Sequence, residues 1–203
     1  MPSRSVCLVV VLMLVFITTM TSCGHSATDR NDGHGEPGTA QGGPPAAHNA
    51  ADVAFARNML PHHQQGVELA AMVPAHTTNP DLKVIAAHIG ADQQAEIRTL
   101  NLLLAQWHEE AHPVAGGDAV HQGMPMMGIV DQGTINQLRS LDGAAFDTLW
   151  ATSMISHHQG AITMAEDEIA HGQSVDAVHV AARIVQAQQR EIAAMTHLIS
   201  ASQ

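Results

Sequence analysis

Two short segments carry the residues best suited to holding a metal ion: Met59-Leu-Pro-His62-His63-Gln64 and Met154-Ile-Ser-His157-His158-Gln159. Each offers two imidazoles and a thioether, with no thiolate beside them. Thioether together with imidazole selects monovalent copper first, while imidazole alone also suits divalent copper and zinc, which are the alternatives. At about 100° per residue, Met59, His62, His63 and Gly66 fall on one face of a helix, and Met154, His157, His158 and Ala161 repeat that face. Adjacent histidines diverge by the same angle, so a site is expected to take one histidine from each segment, with Met59 or Met154 as a soft neighbour. The small residue one turn on, Gly66 or Ala161, leaves space for an ion or for a facing helix. The competing structural reading is a buried polar network that fixes how two halves dock.

The elements that must position these residues are themselves repeated. The segments are displaced by 95 residues, from 59 to 154, and the same offset pairs Asp52 with Asp147, His76 with His171 and Asp81 with Asp176. It also pairs Gln93-Gln94-x-Glu96-Ile97 with Gln188-Gln189-x-Glu191-Ile192. Such a register implies two copies of one supersecondary unit, each too small to bury its own apolar face, packed about a pseudo-two-fold axis. Apolar residues recur at helical spacing in both copies, as in Phe55, Met59, Val67 and Leu69. A second helix follows in each, from Pro80 to about His108 and from Val175 to about Ser202, opened by Asn79 and Ser174 as capping residues. Between the copies, the stretch 112–132 is rich in glycine and proline without periodicity, and a short helix is expected from Ile135 to Leu141. The order predicts an all-α, ferritin-like four-helix bundle made of two duplicated hairpins with one long crossover. Repeat one spans 51–110, the crossover 111–141 and repeat two 142–203. Pro61 either bends the first helix at the motif or starts it there.

On the second helices, Gln93, Glu96 and Ile97 share a face with Ile89 and Leu100, and Gln188, Glu191 and Ile192 repeat it. A carboxylate in an apolar stripe needs a partner. Glu96 and Glu191 are expected to accept the remaining ring hydrogen of a metal-bound histidine, with Gln64 and Gln159 as further supports. The crossover adds His121, Met124, Met126 and Met127, a mobile set of soft ligands able to close over the bundle site or to form a second one. His76 and His171, near helix ends, are expected to cap carbonyls.

The ends place the protein outside the cytoplasm. Val6 to Met20 is an apolar run after Arg4, too short for a membrane span of about 20 residues and suited to an export signal over 1–22. It leads into Met20-Thr-Ser-Cys23-Gly24, where Cys23 is a site for lipidation, palmitate included, that would anchor the chain to the extracytoplasmic face of the membrane. Cys7 would leave with the signal, so no disulfide is expected. Residues 23–50, poor in large apolar side chains and containing His25, His34 and His48, read as a flexible tether. Against 8 Lys and Arg stand 19 Asp and Glu, a net charge of −11, which argues against a nucleic acid partner and favours cations.

His-His-Gln after Met-Leu or Met-Ile, the Met-rich crossover, and Leu141-Asp-Gly-Ala-Ala-Phe146-Asp147 before the second motif resemble domain-of-unknown-function family 305. The resemblance covers 51–203. It implies a ferritin-like all-α fold in exported bacterial proteins, some of which bind copper in the periplasm through Met and His; by position, this would fall on Met59, His62, His63, Met154, His157, His158 and the crossover methionines. Three departures stand out: Gln65-Gly66 faces Gly160-Ala161 in the other copy, Ser156 replaces the usual proline, and Thr163 stands where the first copy has Glu68. The two copies are therefore expected to differ in charge and affinity. Two other functions compete with copper binding. One is a metal-free helical adaptor for an envelope partner, which would expose a contiguous apolar patch. The other is a ferritin-like di-metal oxidase, for which only Glu109-x-x-His112 and Glu168-x-x-His171 have the required spacing.

Overall fold

The computed structural model describes residues 47–111 and 127–201. They form five helices: α1 Ala50–His76, α2 Pro80–Gln106, α3 Gln132–Ser140, α4 Gly143–His171 and α5 Val175–Ala201. No strand occurs among the described residues. α1 with α2 and α4 with α5 make the two hairpins, and they pack α1 on α4 and α2 on α5, the duplicated four-helix bundle that the repeat implied. No helix among the described residues is long and apolar enough to cross a membrane.

Local chemistry sets where these helices begin. Asn49 accepts the amides of Ala51 and Asp52 at 2.8 and 3.2 Å while Asp52 accepts that of Asn49 at 2.6 Å, a reciprocal cap worth about 1 kcal/mol. Asn79 caps α2 ahead of Pro80, which needs no amide partner at that position. Ser174 accepts from Ala177 to open α5, and Asp131 caps α3. The folded unit thus reaches back into the stretch that composition assigned to the tether. Ala50 is helical, and the His48 ring stacks on Trp107 with centroids 5.0 Å apart. The reason is that the first amides of α1 need an acceptor, and Asn49 supplies it. Pro61 lies inside α1, so it does not start that helix.

Two hydrogen bonds fix the crossing of α1 and α4. Trp150 Nε1 donates to the Leu69 carbonyl at 2.8 Å and His157 Nε2 to the His62 carbonyl at 3.0 Å. Seven residues forward on one helix match seven backward on the other, so the pair is antiparallel. At one end of the pair Asp52 accepts the amides of Gln173 and Ser174, and at the other His76 reaches the Leu141 carbonyl at 2.9 Å. His76 also stacks on Phe146, so it ties α1 to the start of α4 instead of capping its own helix, whereas His171 does bond the Asp167 carbonyl one turn back.

Two apolar clusters fill the bundle. One gathers Phe55, Met59, Leu100, Leu103 and Leu104 against Ala161, Met164 and Ile184; the other gathers Leu69, Val73, Leu82 and Ile89 against Phe146, Trp150, Met154 and Met195. Each fully buried large side chain contributes about 1.5–3 kcal/mol. Buried alanines, among them Ala56, Ala151, Ala161 and Ala165, are small enough to let neighbouring helices approach closely.

Candidate metal centre

The residues of the face that the helical period selected, Met59, His62, His63 and Gly66 on α1 and Met154, His157, His158 and Ala161 on α4, are all buried. The crossing brings the four imidazoles together, with His62 and His157 in contact between His63 and His158. The His62 and His157 rings lie 3.8 Å apart between centroids, tilted by 33°. His63 lies 6.3 Å from His62, and His158 6.2 Å from His157.

Every ring is held by Nε2. His62 donates to the Met127 carbonyl at 3.1 Å and His157 to the His62 carbonyl at 3.0 Å. His63 donates to Glu96 Oε2 at 2.7 Å and His158 to Glu191 Oε2 at 2.8 Å. A carbonyl or carboxylate oxygen only accepts, so these bonds place the ring hydrogen on Nε2. Burial, and then the neighbouring His63, hold His62 down to a pKa of about 3; burial, and then His62, hold His157 down to about 2. Both rings are therefore neutral at physiological pH, with a lone pair on Nδ1. The Nδ1 atoms of all four histidines are buried and have no hydrogen-bond partner. A buried polar atom left bare costs about 1–3 kcal/mol, which this layer carries four times.

Neutral imidazole with its other nitrogen tied to an oxygen acceptor is the usual state of a metal-binding histidine. Among the described residues no three His, Cys, Asp or Glu side chains converge as a ligand set, so a closed nitrogen and oxygen cage of the structural zinc type is absent there. The two thioethers of the repeated motif are buried, Met59 in one apolar cluster and Met154 in the other. Imidazole and thioether are donor types that together suit a soft monovalent ion of low coordination number.

The difference between the two copies has a structural reason: the end of the crossover seats against both, and each meets it in a different way. Gln65 clamps Val130, accepting from its amide at 2.8 Å and donating to its carbonyl at 2.9 Å. At the equivalent position of α4, Gly160 has no side chain, and a Cβ there would overlap the Met127 carbonyl. Gly128, at φ +80°, also lies against the α4 backbone, where a side chain would strike the Ser156 carbonyl. This close seating aims the Met127 carbonyl at His62. Glu68, the other expected source of inequality, is exposed.

Several expectations need correction. Gln64 and Gln159 are exposed, because the residue after the doublet turns out of the buried face. The glutamines that do enter the core are Gln93 and Gln188, each 1% exposed, on the face already occupied by Glu96 and Glu191. Their repetition in register was the signal for them. Met127 is exposed, and its backbone carbonyl reaches His62. His121, Met124, Met126 and Cys23 lie outside the described residues. Of the pairs spaced for a di-metal site, Glu109 binds Arg57 at 2.7 Å, His171 binds Asp167 at 2.9 Å, and His112 lies outside the described residues. Glu168 is buried beside Asp52 at the far end of α4, where burial, and then that neighbouring carboxyl, raise its pKa to about 8.

The model of the family described as "Domain of unknown function (DUF305)" matches residues 52–199. A DUF305 protein of Streptomyces coelicolor, named as secreted, is similar in structure with a TM-score of 0.68 and 27% identity, over 74% of this chain and 92% of its own. A DUF305 fragment from Deinococcus radiodurans gives 0.66 and 25%, over 77% and 99%. CopM in its Cu(II)-bound form gives 0.64 and 25%, over 75% and 97%, and in its Cu(I)-bound form 0.62 and 25%, over 73% and 95%. No curated protein matches the chain. With the matched segment spanning both repeats and the crossover between them, the chain belongs to the DUF305 family.

Proposed function

We propose that this protein is an extracytoplasmic copper-binding lipoprotein, anchored through Cys23, that takes up monovalent copper at the histidine layer to buffer, sequester or hand it on. Binding, not catalysis, is its activity. The observation that carries this reading is the set of four buried Nδ1 atoms without partners, on rings whose other nitrogens are already fixed by acceptors. One imidazole from each repeat supplies the nitrogen donors, and Met59 or Met154 the thioether. Glu96 and Glu191 orient the outer rings. Divalent copper and zinc are secondary cargoes. The structural similarity to copper-bound CopM supports the metal class. The four imidazoles stand together, which gives the adaptor reading no support.

The test is a competition titration of the chain from residue 24 onward with monovalent copper against a chromogenic chelator, beside a variant with all four motif histidines replaced by alanine. Tight binding that is lost in a variant still helical by circular dichroism is the expected result. Binding that survives in the variant would move the site away from the bundle, to the crossover methionines or the tether.

A further inference from the structure

Gln93 and Gln188 occupy equivalent positions in the two copies, one helical turn before Glu96 and Glu191. Both are 1% exposed, and neither the oxygen nor the nitrogen of either carboxamide has a hydrogen-bond partner. The Gln93 carboxamide fills the space that a side chain at position 66 would take, one turn along α1 from His62 and His63. With the four bare Nδ1 atoms, eight buried polar atoms without partners stand at repeat-equivalent positions of the two copies. A buried carboxamide without a partner costs about 1–3 kcal/mol per unpaired group, whereas a leucine or methionine of similar volume would cost little. The chain accepts that cost at the same place in both repeats. Glutamine there must answer to a bound state.

Resting on the copper reading, we infer that Gln93 and Gln188 belong to the donor set and that their carboxamide oxygens are engaged by divalent copper. The thioethers are soft donors matched to the monovalent ion, while a carboxamide oxygen is a hard donor matched to the divalent one. A layer offering imidazole between the two kinds can retain copper in either oxidation state. Met59 and Met154 then set affinity for the monovalent ion, and Gln93 and Gln188 affinity for the divalent ion.

The experiment titrates the chain from residue 24 onward with Cu2+ and, separately under reductant, with Cu+, for the wild type and for Gln93→Met with Gln188→Met. Methionine keeps the unbranched shape and exchanges a hard donor for a soft one. Expected are a Cu2+ affinity lowered by about tenfold or more, an altered paramagnetic resonance spectrum of bound Cu2+, and a Cu+ affinity that is unchanged or higher. The metal-free variant should be at least as stable to urea as the wild type, because bare amides have been removed. Should the double variant fail to fold, each single variant is measured the same way. A variant with wild-type Cu2+ affinity and spectrum overturns the inference and leaves the copper reading standing. A metal-free variant less stable than wild type also overturns it, since the amides would then serve the fold. If the wild type binds neither ion, the copper reading itself fails.

Discussion

Replacing Gly160 with alanine tests whether the crossover end is seated on α4 as the structure shows. A Cβ at 160 would overlap the Met127 carbonyl carbon and oxygen and crowd the Gly128 amide, all backbone atoms that cannot rotate away. In an open helix the same change would stabilise by about 1 kcal/mol, since glycine is a poor helix former. Against that gain stand overpacking, about 1–3 kcal/mol, and the loss of the Met127 acceptor for His62 Nε2, a buried donor whose orphaning costs about 1–3 kcal/mol. The net expectation is a destabilisation of about 3 kcal/mol, or roughly 6–12 °C in Tm for a domain of this size. Gly90→Ala is the internal control. Its Cβ would meet only the Ala70 side chain at 3.5 Å, ordinary contact, so it should gain up to about 1 kcal/mol. Urea unfolding followed by circular dichroism at 222 nm, with unchanged m, reads both variants. A Gly160→Ala midpoint equal to or above that of wild type would refute the seating and, with it, the assignment of the His62 hydrogen bond.

Other outcomes follow from the same structure. His62 and His157, held near 3 and 2, stay neutral in the folded metal-free protein while the unfolded chain takes up protons below about 6.5. Their contribution is therefore complete above that pH and is lost on acidification, at up to about 1.4 kcal/mol per pH unit for each ring; urea midpoints that stay constant from pH 6 to pH 4 would contradict this. Glu168, raised to about 8 by burial and then by the Asp52 carboxyl, acts with the opposite sign. It keeps its proton in the folded state between the unfolded value of 4.5 and about 8, so its contribution falls as pH rises through that window, and with the histidine contribution lost below about 6.5 the net stability should peak near that pH. Glu168→Gln should remove the decline from pH 6.5 to pH 8, and a decline that persists would assign it to another group. Replacing Met59 and Met154 together with leucine should lower Cu+ affinity and leave zinc affinity nearly intact, because a thioether is a weak zinc ligand; equal loss of both metals in parallel titrations would show that the methionines act through packing alone.

Much of this protein could be read from the order of its residues. The 95-residue register announced two copies of one hairpin, the 3.6-residue period put Met59, His62, His63 and Gly66 on one buried face, and Asn79 with Pro80 marked where α2 begins. These are local properties, set by helix geometry and by amides that need caps. What a buried face meets is a different matter. The acceptor for His62 is a carbonyl 65 residues away, and two of the amides that Asp52 accepts are 121 and 122 residues away. Gln65 and Gly160, which looked like a loss of symmetry between the copies, hold the same stretch of crossover from two helices, one by hydrogen bonds and one by having no side chain. Gln64 points outward and Gln93 inward although both stand beside a candidate ligand or its partner, since about 100° per residue separates a buried position from an exposed one. The sequence determined the helices and the face each turns to the core. Only the antiparallel crossing of α1 and α4 decided that four imidazoles come together, because no local rule sets where two helices touch.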